Sequence, residues 1–411
     1  MATRAIGRPG VTAWIVILIF GAVLLNYVDR GAIAIAAPLL KPELGLSATQ
    51  FGLAVSAFFW VYAPLQLGIG WAMDRWCVYR LLAAGVALWA LSTFLTGFVG
   101  GLAVLVALRC GLGLGEAFTF PAAAKIIARH VPAHQRGMAN AAVGMGIAFG
   151  PAVGTFAGGL IAAHYGWRPI FLLFGAVTLF WVLPWLAVSR RLPAYQPAGR
   201  EPPMPVGPLL RERALWSMGL VHFACTYALY FAVTWFPLYV VQNQGLSLQR
   251  MTVIITTAFI AQGIAAFLFG WTSDAWTKSG REEAVIRRWT MIIAQSMLVI
   301  AILALPSARS EAALTFWMIV IGMTNASGSV NLYSVAQMFA GPRATGTFVG
   351  IQNGLGNLSG IIMPIVTGMI IDASGSYSLA FKLTAAIAFI GVLGWLFLVP
   401  RIALLDLDRE A

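Results

Sequence analysis

Gly70-Trp71-Ala72-Met73-Asp74 closes one long apolar run, and Gly270-Trp271-Thr272-Ser273-Asp274 closes another 200 residues later. A Gly-Trp-x-x-Asp pattern at two such places marks a chain assembled from two related halves. The intervals around each copy decide what the halves are made of. Each copy ends an apolar stretch of about 20 residues, the length a helix needs to cross a bilayer core about 30 Å thick.

Composition agrees. Of 411 residues, 60% are hydrophobic and only 10% are charged, against about 25% charged in soluble domains. Lipid must therefore solvate much of the surface. Apolar runs between charge clusters give twelve spans, near 13–38, 50–73, 80–99, 102–128, 138–163, 168–188, 214–241, 251–276, 287–306, 312–339, 345–371 and 379–400. Backbone in lipid must satisfy its own hydrogen bonds, so these are helices. The first run follows Arg4 and Arg8 as in a secretory leader, but it is too long, lacks a small-residue cleavage site and contains Asp29-Arg30. It reads as an uncleaved first span.

The 26 Lys and Arg residues orient the chain. With the N-terminus inside, eighteen lie in cytoplasmic segments; only Lys41, Arg168, Arg250, Arg309 and Lys382 lie opposite, and Arg30, Arg109 and Lys125 lie within spans. That bias places both termini in the cytoplasm. It also explains the net charge of +12 without a nucleic-acid partner. Segment 189–213 is polar and carries six prolines, from Pro193 to Pro208, which predicts an extended linker. The expected organisation is a six-helix bundle over 1–188, a cytoplasmic linker over 189–213 and a second six-helix bundle over 214–411. Glycines recur in span five (Gly146, Gly150, Gly154) and span eleven (Gly350, Gly354, Gly356), where small residues let helices approach. An all-α protein of two pseudo-symmetric bundles fits a carrier with its site near the midplane.

Other chemistries find no foothold. Cys77, Cys110 and Cys225 form neither a disulfide framework nor a CxxC pair. The four histidines lack metal-ligand spacing, and neither an HExxH nor a phosphate loop occurs. No metal, no cofactor and no enzymatic activity is expected.

Charge inside the spans is sparse. Of 14 acidic residues, only Asp29 and Glu116 lie well inside a span. Each intramembrane charge costs at least about 2.5–3.5 kcal/mol, so such residues usually mark ion pathways or partners. A rise of about 1.5 Å per residue puts Asp29 roughly 24 Å from the inner edge and Arg109 roughly 10 Å below the outer one, at similar levels. Glu116 lies two turns deeper, on nearly the same face as Arg109. Asp29 is therefore expected to pair with Arg109, with Glu116 as a second protonation point. Burial disfavours an ionised carboxylate and a neighbouring guanidinium favours it, so exchange of partners would couple proton and anion movement. A static salt bridge between spans one and four is the plainer alternative. Arg30 and Arg109 offer forks suited to carboxylate. Lys125 is read as snorkelling to the interface, or else as a group on the anion's exit path.

The second half carries neutral polar groups instead: His222, Tyr227, Tyr230, Asn325, Asn331, Tyr333, Gln337, Gln352, Asn353 and Asn357, with no buried acid or base expected beside them. They suit a hydroxylated anion, or equally helix–helix hydrogen bonding. Gln352 and Asn353 are favoured as ligands because their Gly-rich span is expected to be irregular. Asp74, Arg75, Arg80 and Asp274 are expected to form cytoplasmic gating contacts, or to serve topology alone.

The chain resembles the major facilitator superfamily. Gly70 to Arg80 follows the pattern G-x-x-x-D-R-x-G-x-x-R, with Cys77 in place of the glycine. More narrowly, Asn26-Tyr27-Val28-Asp29-Arg30, the stretch from Arg109 through Glu116 to Pro121, and His134-Gln135-Arg136-Gly137 resemble the anion:cation symporter family. That family includes the bacterial D-galactonate and other sugar-acid proton symporters. The resemblance implies proton roles for Asp29 and Glu116, and a substrate site lined by Arg30, Arg109 and Tyr62; Tyr27, and Tyr230 from the second half, are added as expected substrate contacts. It implies symport of protons with a small organic anion such as a hexonate or hexuronate, by a monomer in the cell inner membrane. A proton-independent exchanger or facilitator, or a carrier of aromatic carboxylates, would use the same fold; a drug exporter fits the charge pattern poorly.

Overall fold

A computed structural model describes residues 9–132, 135–192 and 206–406. Among them are helices α1 (Pro9–Glu43), α2 (Ala48–Arg75), α3 (Val78–Thr96), α4 (Leu102–Glu116), α5 (Thr119–His130), α6 (Arg136–Tyr165) and α7 (Arg168–Ser189). They continue with α8 (Val206–Arg211), α9 (Arg213–Leu238), α10 (Leu248–Lys278), α11 (Glu283–Ala304), α12 (Glu311–Ser374) and α13 (Ser378–Leu393). Twelve stretches are long and apolar enough to cross a membrane, and no strand occurs among the described residues. The chain is an all-helical, multi-pass membrane protein.

The expected spans recur with small irregularities. The fourth, 102–128, is one span over Leu102–His130 with a local disturbance at Ala117-Phe118 between α4 and α5. Pro121 has no N–H to return to the Ala117 carbonyl, which weakens the helix at that point. Spans ten and eleven are the two limbs of α12, separated by a kink at Gly341, whose φ of 62° and ψ of 179° suit a residue without Cβ. On either side the limbs Glu311–Gly341 and Ala344–Ser374 are regular helix. Gln352 and Asn353 therefore sit on a regular helix, and at Gly356 of this span the missing side chain serves packing rather than unwinding. Of the linker 189–213, residues 193–205 lie outside the described ones. Val206–Arg211 is helical rather than extended, since Pro208 falls in the first turn, where its missing N–H has no helical partner to lose.

Contacts gather the chain into two compact units: Met1–Leu46, Leu53–Gly199 and Val240–Thr256 in the first, Ser47–Gly52, Arg200–Tyr239 and Thr257–Ala411 in the second. In unit 1, α1 packs on α6 and α7, and α3 on α4 and α7. Glycine makes these crossings close. A Cβ on Gly150 of α6 would stand 2.5 Å from Tyr27 Cβ, and one on Gly154 would stand 2.9 Å from Val28 Cα. At the α3–α4 crossing the obstacle is backbone on the facing helix: a Cβ on Gly115 would meet Gly85 O and Trp89 N, each at 2.6 Å. Backbone atoms cannot give way as a side chain can. Gly115→Ala is expected to cost about 1–3 kcal/mol through overpacking, read as a lower melting temperature of the purified protein; an unchanged melting temperature would disprove the contact. At the end of α1, Glu43 accepts from Trp167 Nε1 at 2.6 Å and pairs with Arg168, tying α1 to the start of α7.

In unit 2, α9 packs on α12 and α13, and α11 on the same two helices. A Cβ on Gly356 would stand 2.6 Å from the His222 ring. That glycine lets α12 approach the imidazole closely enough for its neighbours to reach it.

Candidate functional site

Unit 1 builds its polar centre on α1. Asn26 and Arg30 are one turn apart, and Arg30 Nη2 reaches Asn26 Oδ1 at 3.4 Å. The same guanidinium grips the carboxylate at the last residue of α4: Nη2 and Nε donate to Glu116 Oε2 at 2.6 and 3.1 Å. Glu116 is fully buried, whereas the Arg30 side chain keeps 18% of its surface. Such a charge-assisted pair is strong.

Aromatic rings enclose this pair. The Arg30 guanidinium carbon lies 5.1 Å from the Tyr27 ring centroid, 5.0 Å from Phe58 and 5.1 Å from Tyr62. Phe58 and Tyr62 occupy successive turns of α2 and stack at 5.0 Å. Phe58 also lies 5.4 Å from the guanidinium carbon of Arg109, so one ring faces two cations. Arg109 is 5% exposed, and its Nε is buried with no hydrogen-bond partner among the described residues.

Asp29 stands apart from this cage. Its Oδ2 accepts from Trp89 Nε1 of α3 and Thr178 Oγ1 of α7, both at 2.9 Å. The expected Asp29–Arg109 pair is therefore replaced by Arg30–Glu116. Depth counting fixes the level of a residue but not its direction. Consecutive residues of an α-helix point about 100° apart, so Asp29 and Arg30 address different neighbours.

Unit 2 gathers several of the neutral groups singled out in its sequence. Gln352 is buried and its Nε2 lies 3.3 Å from His222 Nδ1. Tyr333 donates to Asn353 Oδ1 at 3.1 Å, and Tyr230 donates to Asn357 Oδ1 at 2.8 Å. The expectation of no buried acid or base here fails at Arg287. That residue is 8% exposed, donating to Glu283 at 2.7 Å and to Asn331 at 3.2 Å. One turn into α11, its side chain turns inward to Asn331 of α12. Lys125 is half-buried, and Arg75, Arg80 and Asp274 are exposed. The side chain of Asp74, and the whole of His134, lie outside the described residues.

Sequence reasoning passed over Phe58, Trp89 and Thr178. Phe58 carried a signal, since it precedes Tyr62 by four residues and so shares its helix face. Trp89 and Thr178 carried none, because a lone Trp or Thr in a span is ordinary.

A family model described as the Major Facilitator Superfamily matches residues 19–281 and 240–408. The chain is 30% identical to a probable sulfoacetate transporter of Cupriavidus necator, covering 94% of both chains. It is 28% identical to a hexuronate transporter of Bacillus subtilis over 91% of each. Identity to a D-galactonate transporter of Escherichia coli is 26%, over 95% of this chain and 96% of the other. Among solved structures, a bacterial homologue of the human lysosomal transporter Spinster superposes with a TM-score of 0.82 at 18% identity, covering 95% of this chain and 97% of that one.

Proposed function

The chain belongs to the major facilitator superfamily, and from that premise we propose that it carries a small organic anion across the membrane together with protons, by alternating access. The observation that supports this most is the Arg30–Glu116 pair inside its aromatic cage. Glu116 occupies the guanidinium fork that an incoming carboxylate would seek. A proton on Glu116 weakens that grip and frees Arg30 for the anion, and loss of the proton restores it. Arg109 supplies a second guanidinium with an unused donor. In this reading Tyr27 and Tyr62 line the anion's place, Asp29 is a second proton-linked acid, and Gln352, Asn353 and Tyr230 bind hydroxyl groups.

The cargo proposed first is a sugar acid such as a hexonate or hexuronate. Several relatives are named for such cargo, among them the hexuronate and D-galactonate transporters. Sulfoacetate, for which another relative is named, presents the same demand for guanidinium. A thermal-shift screen of hexonates, hexuronates and sulfonated acids on purified protein, followed by uptake of the hits into proteoliposomes with and without an inward proton gradient, tests the proposal. Stabilisation by no anion, or uptake indifferent to the gradient, would reject it. Under this proposal the chain is a monomer of the cell inner membrane, both termini cytoplasmic, with Asp74, Arg75, Arg80 and Asp274 as cytoplasmic gating residues.

Phe58 is a positioning residue in this scheme. A cation–π contact contributes about 0.5–2 kcal/mol, so Phe58→Leu should raise the half-saturating anion concentration roughly 3- to 30-fold. Phe58→Tyr keeps the ring and should restore near-normal affinity. Equal impairment in both variants would show that packing, not the ring face, matters.

A further inference from the structure

Away from the charged cage, unit 2 carries a groove of about 710 Å³ walled by α10, α11 and the first limb of α12. Its floor includes Val285, Trp289, Ile293 and Met297, spaced four apart along α11. Each is about half exposed (47%, 53%, 56% and 48%), so this stripe faces outward instead of packing into the core. Phe269 and Val320 add apolar surface from the other two walls.

The groove has two unlike ends. One ends at Arg281 and Glu282, in the turn between α10 and α11, and both line it. Trp276 and Trp289 flank that end, and the Arg281 guanidinium carbon lies 5.7 Å from the Trp276 ring centroid. Tryptophan at this position marks the membrane–water interface. The other end is apolar. From Val285 to Met297 the stripe runs about 18 Å, close to the roughly 15 Å that one leaflet contributes to the bilayer core. The dimensions are those of a single phospholipid, head at the charged end and one acyl chain along the stripe.

The charges at the mouth select among head groups. Arg281 offers a fork suited to a phosphodiester. Glu282 begins α11, yet its side chain caps no backbone N–H. Lys278 and Asp274 are also exposed in this region, so the local charge is balanced. We propose that this groove is a binding site for phosphatidylethanolamine, with Arg281 on the phosphate and Glu282 on the primary ammonium. Phosphatidylcholine lacks the N–H donors that Glu282 needs, and phosphatidylglycerol brings no cation to it. This site is independent of the transported anion.

The full-length protein, stripped of native lipid in detergent, is offered an equimolar mixture of the three phospholipids, and bound lipid is read by native mass spectrometry. Phosphatidylethanolamine should be retained about tenfold over phosphatidylcholine, the ratio for one charge-assisted hydrogen bond. Glu282→Gln should erase that preference, and Arg281→Gln should lower retention of all three. Both side chains are exposed, so neither change disturbs packing. An unaltered ratio in Glu282→Gln, a preference for phosphatidylglycerol, or a dimer that Trp289→Ala dissociates would overturn the assignment, the last by giving the groove to a second copy.

Discussion

Arg109→Lys is expected to reduce anion affinity and uptake by between tenfold and roughly 100-fold, the effect of losing a charge-assisted hydrogen bond worth about 1.5–3 kcal/mol. The side chain is 5% exposed, its Nε has no partner among the described residues, and its guanidinium carbon lies 5.4 Å from the Phe58 ring centroid. Lysine retains the charge but loses the planar fork and the stacking face. Arg30→Lys should behave similarly and also loosen Glu116, because one ammonium replaces the two donors now on Glu116 Oε2. Calorimetric titration on purified protein separates affinity from turnover. Unchanged affinity in both lysine variants would sink the guanidinium-clamp reading.

Glu116→Gln should separate exchange from proton drive. Glutamine fills the same buried space but carries no proton to deliver. Counterflow with anion on both sides should persist, while accumulation driven by an inward proton gradient should fall to the equilibration level. Wild-type uptake should rise as the outer solution is acidified, and the variant should be flat. Removing one member of a buried ion pair typically costs about 3–5 kcal/mol, so the variant should melt lower. A bound anion would take over the role of the missing carboxylate on Arg30. The substrate-induced rise in melting temperature should therefore be larger in Glu116→Gln than in the parent. Gradient-driven accumulation at the wild-type level would remove Glu116 from the coupling chain. Wild-type uptake indifferent to pH would favour the proton-independent exchanger instead.

The twelve spans were legible because length and apolarity are properties of single segments, and lipid leaves the backbone only the helix. Charge inside an apolar run was legible too, which is why Arg30, Arg109 and Glu116 stood out, although Arg30 reaches a Glu116 that counting along the helices set two turns deeper. Direction around the helix was not. The Asp29–Arg109 pair failed on that point, since α3 and α7 supply Trp89 and Thr178 from places that no motif connects to α1. Arg287 was passed over as a buried base because a basic residue at a span end shows no inward partner until Asn331 is placed beside it. The glycines of α12 suggested unwinding, whereas at Gly356 the missing side chain makes room for the His222 ring.

Gly115 limits how this carrier can change its cargo. A Cβ there would press on the backbone of Trp89, the residue that donates to Asp29, and Gly115 is the immediate neighbour of Glu116. The two acids share no hydrogen bond, yet the supports of both meet at a seam the width of bare backbone. Drift at that seam would misplace both acids at once. Under the proposed function, adaptation to a new anion is channelled into the replaceable rings of Tyr27, Phe58 and Tyr62, which leaves the two acids proposed to carry protons as inherited hardware around which specificity can diverge.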